Sequence, residues 1–220
     1  MIPIRDTVPP RSFAFFNYLL IVINAVFFCF ELQLGPRLLE PFILRYGLVP
    51  AVWTNPVLAR DLQMTFFDKL SQLATSMFLH GGWMHVVSNL WILSIFGRSV
   101  EGKLGHFRYL ILYVLAGLAS GIFQLLGTWG SAVPTIGASG AIAGVMGAYF
   151  LLYPKARIVT LVPIFFLPWI VEIPAFIFLF VWFVSQLFSG VMSLGSPFGQ
   201  IAWWAHVGGF VAGIYLVRRI

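Results

Sequence analysis

One serine of this chain lies in a sequence that suits nucleophilic catalysis. Ser139 stands among small residues in the run Gly137-Ala138-Ser139-Gly140, which opens an apolar segment. A glycine-rich entry to a helix leaves backbone N–H groups free, and such groups can stabilise a negatively charged oxygen. Because a serine hydroxyl is a weak nucleophile at neutral pH, it needs a base within hydrogen-bond reach.

Histidines are the candidates for this base and for further hydrogen-bond donors. His206 begins a second glycine-rich run in an apolar segment, and we predict that it is the base. His85 and Asn89 are four residues apart, so they share one helix face and are predicted to stabilise the oxyanion together with the N–H of the serine. His80 is expected at the edge of a loop, which it holds by hydrogen bonds.

The composition indicates that these residues are positioned by membrane-spanning helices. The chain is 60% hydrophobic and 9% charged, whereas a soluble domain is about 25% charged. Lipid offers the backbone no hydrogen-bond partner, so each apolar segment is expected to be a helix. We predict an all-α, six-helix membrane protein, one domain over 1–220, with a long and partly helical outer loop over 32–81. The predicted spans are 13–31, 82–98, 108–127, 137–153, 171–190 and 201–217.

The basic residues indicate how these spans are oriented. With a cytoplasmic N-terminus, nine of the thirteen Lys and Arg residues fall on the cytoplasmic side, as the positive-inside rule requires. These are Arg5, Arg11, Arg98, Lys103, Arg108, Lys155, Arg157, Arg218 and Arg219. No basic run is long enough to suggest nucleic-acid binding. His85, Ser139 and His206 then lie at similar depth near the outer side, because the spans that carry them all begin there.

Two of the spans carry glycines at a spacing that favours close packing. Gly140 and Gly144 follow the serine, and Gly209 and Gly213 follow His206. Small residues four apart let two helices approach closely. Packing through these faces is expected to bring the Ser139 hydroxyl within hydrogen-bond reach of the imidazole.

A catalytic acid is not evident beside this serine and histidine. By the predicted topology Glu101 and Glu172 lie on the cytoplasmic side, away from the site. A Ser-His dyad is therefore the simpler hypothesis, and such a site should be slow because no carboxylate stabilises the imidazolium.

A metal-binding or transport protein is the strongest alternative from another class. His80, His85 and His206 can in principle form a three-histidine zinc site. That hypothesis leaves Ser139 and its glycines without a role, and the sequence lacks the His-Glu-x-x-His motif of a zinc protease. We therefore expect neither a metal nor another cofactor.

The chain resembles the rhomboid family of intramembrane serine proteases. The motifs that carry this resemblance occur in the family's order between residues 80 and 213. They are His80-Gly81-Gly82-Trp83-Met84-His85 with Ser88-Asn89, Val100-Glu101-Gly102-Lys103-Leu104-Gly105, Gly137-Ala138-Ser139-Gly140, and Ala205-His206-Val207-Gly208-Gly209 with Gly213. The resemblance implies Ser139 as nucleophile, His206 as general base, and His85 and Asn89 as oxyanion donors. It also implies that substrate helices enter sideways near 171–190 and the loop 191–200.

Two positions depart from the family's pattern. Many members carry a Trp-Arg pair ahead of the histidine cluster, where this chain has Ser71-Gln72, so the outer loop must be held by other means. Some members place an aromatic residue four positions after the serine, where this chain has Ala143. Another group must then orient the His206 ring.

The predicted function is cleavage of single-span or multi-span membrane proteins within the lipid bilayer. A rhomboid-like protein that binds membrane proteins without cutting them is the alternative within the family, although such members usually lack the serine or the histidine. The absence of a targeting peptide and of appended domains fits a bacterial inner membrane, with both termini cytoplasmic and the site toward the outer side. The sequence specifies neither the natural substrate nor an oligomeric state.

Overall fold

The computed structural model describes residues 1–164, 167–194 and 201–220. Helices form most of the described chain, and a three-stranded sheet accompanies them. The helices are α1 (Phe15–Tyr46), α2 (Ala51–Thr54), α3 (Pro56–Asp61), α4 (Phe66–Thr75), α5 (Trp83–Leu104), α6 (His106–Gly127), α7 (Ser139–Leu152), α8 (Ala175–Met192) and α9 (Trp203–Leu216), with a 3₁₀ helix at Ser76–Phe78. The strands are β1 (Ile2–Asp6), β2 (Arg157–Ile164) and β3 (Leu167–Pro174).

Each of the six predicted spans overlaps one of these helices. Among the described residues, α1, α6 and α8 are long and apolar enough to cross a membrane, and α7 is a shorter apolar helix. Helix α1 continues past the predicted end at residue 31 and kinks at Gly35, where φ is +67° and Pro36 follows. Its second half therefore belongs to the predicted outer loop.

The all-helical prediction is wrong for the region between α7 and α8. Strands β2 and β3 form an antiparallel hairpin. Strand β1 pairs with the other edge of β2, so the strand order is β1-β2-β3. Helix α8 consequently begins at Ala175, four residues later than the predicted span 171–190. The hairpin is rich in Ile and Val, whose branched side chains favour strands, and Pro174 ends it at the N-terminus of α8.

The sheet is fixed to α5 and α7 through a buried carboxylate on β1. Asp6 accepts hydrogen bonds from Arg98 at 2.8 Å, from Ser99 and from Tyr149 at 3.1 Å. The indole N–H of Trp91 donates to the carbonyl of Pro3 at 2.6 Å. Because Trp91 and Arg98 are seven residues apart on α5, β1 runs beside roughly two turns of that helix.

Gln72 holds the long first loop where many family members have an arginine. Its side chain is buried, accepts the N–H of Val49 at 3.3 Å and donates to the carbonyls of Leu44 and Arg45 at 3.2 and 3.3 Å. An amide can serve as donor and acceptor at once, so this one residue satisfies three backbone groups of the loop.

A second tie in this loop joins Arg45 to the start of α4. Arg45 and Asp68 form a 2.6 Å ion pair. Asp68 also closes a capping box with Thr65, and these Thr65 hydrogen bonds, assisted by Arg45, lower the pKa of Asp68. The sequence prediction of short helices in 32–81 is matched by α2, α3 and α4.

A buried glutamate caps the N-terminus of α1 and leads to a stability prediction. Glu101 accepts the backbone N–H groups of Phe16 at 3.0 Å and Asn17 at 2.7 Å, where a carboxylate also complements the helix dipole. Glu101→Ala is expected to lower the free energy of unfolding by about 2–4 kcal/mol, because two donors lose their acceptor. Thermal unfolding in detergent measures this. The exposed Glu40 of α1 is the matched control, and equal midpoints for Glu101→Ala and Glu40→Ala would contradict the capping role.

Candidate active site

A hydrogen bond joins Ser139 to His206. Ser139 is the first residue of α7, His206 lies in the first turn of α9, and Ser139 Oγ is 2.8 Å from His206 Nε2. Both side chains line a cavity of about 550 Å³. The first N–H groups of a helix have no partner within it, so those at the start of α7 are free to bind an oxyanion. This arrangement suits transfer of the hydroxyl proton to the imidazole.

Glycine backbones allow α7 and α9 to lie this close. A Cβ on Gly209 would overlap the carbonyl oxygen of Gly140, and one on Gly213 would overlap that of Gly144. A Cβ on Gly140 itself would overlap the hydroxyl of Ser120 on α6. The helix that carries His206 therefore approaches the helix that carries Ser139 through faces without side chains.

The entry to α7 is positioned by backbone hydrogen bonds to the first loop. Leu48 and Thr135 exchange two of them, at 2.9 and 2.8 Å, and the Gly137 N–H donates to the carbonyl of Ser76 at 2.8 Å. Gly137 has a φ of +124°, and a Cβ there would lie 2.6 Å from Nε2 of His85. Glycine is thus required both by its backbone conformation and by the neighbouring imidazole.

His85 and Asn89 present donors beside Gly137. The N–H of Gly81 donates to Nδ1 of His85 at 3.2 Å, so in the neutral ring the proton lies on Nε2, the atom next to Gly137. Asn89 is buried, and within the described chain its Nδ2 has no hydrogen-bond partner. Both residues line the cavity with Ser139. Two donors are therefore available where a substrate carbonyl would meet the hydroxyl.

His80 packs beside His85, and its backbone N–H is bonded to Glu31 of α1. Its N–H donates to both carboxylate oxygens of Glu31, at 3.1 and 3.2 Å, whereas its ring nitrogens lack a partner within the described residues. The two imidazole centroids are 5.1 Å apart. Burial, helped by His85, lowers the pKa of His80 to about 4, so the ring is neutral at physiological pH. The contact of His80 is thus a backbone hydrogen bond to Glu31 of α1, and the loop-holding role of its side chain stays a prediction.

Two residues of α8 that sequence reasoning did not single out hold the His206 ring. Gln186 Oε1 lies 2.8 Å from His206 Nδ1, and the Trp182 ring centroid is 5.9 Å from that of the imidazole. Trp182 supplies an aromatic neighbour that Ala143 does not. The sequence did contain a signal for this contact, namely the polar Gln186 within an apolar segment. Such a residue is costly there and usually has a role.

The structure does not group His80, His85 and His206 as the ligands of a zinc ion. Among the described residues, no three His, Cys, Asp or Glu side chains are grouped so that they could hold a metal ion. His85 Nδ1 accepts the Gly81 N–H, and both nitrogens of His206 are engaged by Ser139 and Gln186. The predicted entrance for substrate at the loop 191–200 lies, over residues 195–200, outside the described residues.

Comparison with known protein families decides which family the chain belongs to. The rhomboid domain model matches residues 68–219, more than half of the chain. The chain belongs to the rhomboid family. This confirms the resemblance drawn from the histidine, serine and glycine motifs. It also establishes a membrane protein of the kind that the apolar helices α1, α6 and α8 indicate.

This rhomboid matches its curated relatives over about half of their length or less. It is 27% identical over 197 residues to the human presenilin-associated rhomboid-like protein, mitochondrial. The aligned region covers 83% of this chain and 48% of the human protein. It is 27% identical over 176 residues to rhomboid protein 1, mitochondrial, of Saccharomyces cerevisiae, covering 77% and 48%. RHOMBOID-like protein 6, mitochondrial, of Arabidopsis thaliana is 38% identical over 77 residues, covering 35% and 24%. The organelle in these names belongs to the relatives.

The oxyanion role predicted for Asn89 in this rhomboid has a kinetic consequence. Asn89→Ala is expected to lower kcat roughly 100-fold with little change in KM, because the donor is used only when negative charge develops on the substrate oxygen. Steady-state cleavage of a membrane-embedded reporter measures both constants. Asn55→Ala removes an exposed helix cap outside the cavity, so it is the control that separates a general loss of stability from a loss of turnover. A raised KM with unchanged kcat would assign Asn89 to substrate binding instead.

Proposed function

We propose that this rhomboid is an intramembrane serine endopeptidase that cleaves transmembrane segments of single-span or multi-span membrane proteins. The observation that carries the proposal is the 2.8 Å contact between Ser139 Oγ and His206 Nε2 on a cavity that His85 and Asn89 also line. Rhomboid membership supports protease chemistry in general.

The reaction follows from the positions of these groups. As Ser139 Oγ attacks the scissile carbonyl carbon, His206 Nε2 takes the hydroxyl proton. The resulting oxyanion accepts hydrogen bonds from His85 Nε2, Asn89 Nδ2 and the backbone N–H of Ser139. The imidazolium then gives its proton to the leaving amine as the C–N bond breaks. In the second half, His206 Nε2 takes a proton from the water that attacks the acyl carbon, and it returns this proton to Ser139 Oγ as the ester bond breaks. Since His206 Nδ1 contacts an amide rather than a carboxylate, turnover is expected to be slow.

The proposed arrangement in the membrane has six spans and cytoplasmic termini. The spans are the first half of α1, with α5, α6, α7, α8 and α9. The distribution of basic residues supports this orientation, in which the cavity faces the outer side. Which bilayer holds the protein stays open, because the bacterial inner membrane is a prediction of the sequence and the relatives above carry mitochondrial names.

Reconstitution of the full chain into lipid vesicles tests the proposed activity. The protein is mixed with a single-span reporter and, in parallel, with a fluorophosphonate probe that labels activated serines. Cleavage of the reporter and labelling on Ser139, both unchanged by a chelator, are the expected results. A folded protein that binds the reporter but neither cuts it nor takes the label would favour the non-proteolytic alternative. Loss of cleavage with chelator would favour metal chemistry.

A further inference from the structure

A buried amide on a helix other than those of the serine and histidine contacts the far side of the His206 ring. Gln186 of α8 is 7% exposed, and its Oε1 lies 2.8 Å from His206 Nδ1, while Nε2 of the same ring faces Ser139. A polar side chain at this place in an apolar helix is costly unless its hydrogen bonds are satisfied. The direction of those bonds decides what the amide does to the ring.

The surrounding hydrogen bonds fix which end of the amide faces the imidazole. The hydroxyl of Ser185 donates to the carbonyl of Trp182 at 2.6 Å, so the Ser185 oxygen has lone pairs left to accept. Gln186 Nε2 donates to that oxygen at 3.0 Å and lies 3.4 Å from the Trp182 carbonyl. With both neighbours of Nε2 acting as acceptors, the carbonyl oxygen of the amide is the end that meets His206.

We infer that Gln186 is the positioning residue of His206, and that it fixes the ring's tautomer and orientation. An acceptor at Nδ1 requires the proton of the neutral ring to lie there, which leaves the lone pair of Nε2 directed at the Ser139 hydroxyl. A base in this tautomer is ready to take the serine proton. The inference rests on the proposed serine protease function and adds to it a third side chain in the position that a triad gives to an acid.

The arrangement also explains how the ring is held beside a small residue. Ala143 offers the imidazole no aromatic surface, whereas Trp182 lies one helical turn before Gln186 and its ring is 5.9 Å from that of His206. Both groups come from α8, so the orientation of the base depends on how α8 packs against α9. Gln186 is not among the residues that line the cavity of Ser139, so in this inference it acts through the imidazole.

Replacing Gln186 by leucine removes the acceptor at nearly constant volume. In vesicles, Gln186→Leu is expected to lower both kcat and the rate of fluorophosphonate labelling roughly 10- to 100-fold with KM unchanged. This loss is smaller than the 10⁴-fold effect of a wrong tautomer in a triad, because the amide is neutral. The midpoint of thermal unfolding is expected to change little, because leucine takes a polar group out of an apolar helix but leaves the Nδ1–H of the partly exposed His206 ring without its acceptor. Gln186→Glu, which keeps an acceptor, is expected to retain more activity than Gln186→Leu, and Leu187→Met at the exposed neighbouring position is the matched control.

The outcomes separate this inference from the proposed function. Wild-type labelling and cleavage rates in Gln186→Leu would overturn the positioning role while leaving the serine protease intact. A raised KM with unchanged kcat would also overturn it, because it would place Gln186 in substrate binding. If the wild-type protein neither cuts the reporter nor takes the label, the proposed function itself fails.

Discussion

Replacing Ser139 by alanine is expected to lower reporter cleavage on the order of 10⁴-fold or more, to the background rate. The alanine lacks the oxygen that forms the acyl-enzyme, and no other hydroxyl takes its place at 2.8 Å from His206 Nε2 among the described residues. His206→Ala is expected to cause a loss of similar size, because a serine and its base act as a unit. Cleavage of a single-span reporter in vesicles measures both variants.

The two substitutions are informative only in folded protein. Each removes a partly exposed side chain from a cavity, so the unfolding midpoint is expected to stay close to that of the wild type. Ser94→Ala is the matched control, because Ser94 is partly exposed, as Ser139 is, and its hydroxyl bonds the carbonyl of Trp91 within α5. Cleavage by Ser139→Ala at the wild-type rate would refute the dyad.

A leucine at Gly209 is expected to lower cleavage roughly 100-fold or more while replacing neither catalytic candidate. Its side chain would overlap the carbonyl of Gly140, so α7 and α9 would have to separate. Overpacking of this kind costs about 1–3 kcal/mol in a core. A displacement of about 1 Å between a nucleophile and its base lowers rates roughly 100-fold. Both the unfolding midpoint and the cleavage rate are therefore expected to fall.

The same helix provides a control for the Gly209 experiment. Val211 of α9 is 44% exposed, so Val211→Leu adds bulk on the outer surface instead of between helices. Gly209→Ala gives an intermediate step, in which a single methyl group meets the Gly140 carbonyl. Full activity in a folded Gly209→Leu protein would show that the close approach of α7 and α9 is not needed to hold His206 near Ser139.

The sequence alone was informative about the site because polar residues are rare in its apolar segments. Ser139, His206, His85 and Asn89 stood out for that reason, and the rhomboid membership that their motifs suggested is now established. Helix rise and the distribution of basic residues predict a common depth for them in the membrane. Their catalytic roles stay predictions, to be decided by the experiments above.

The all-helical prediction failed where the apolar pattern of the sequence is compatible with both a helix and a strand. The apolar run between α7 and α8 suits a strand as well as a helix, and hydrophobicity does not distinguish the two. The hairpin forms because β1, from the far end of the chain, pairs with β2 and is anchored by Asp6 to α5 and α7. Such a partner, distant in sequence, leaves no trace in the periodicity of residues 157–174.

What the sequence determined by itself was the set of residues able to do the chemistry and the glycine faces that let their helices meet. Only the tertiary structure showed that Gln72 holds the first loop and that Gln186 meets the ring of His206. Both are neutral amides, which carry no charge pattern or motif spacing to reveal their partners. Their hydrogen bonds join elements far apart along the chain, so they exist only once α4 and α8 have packed.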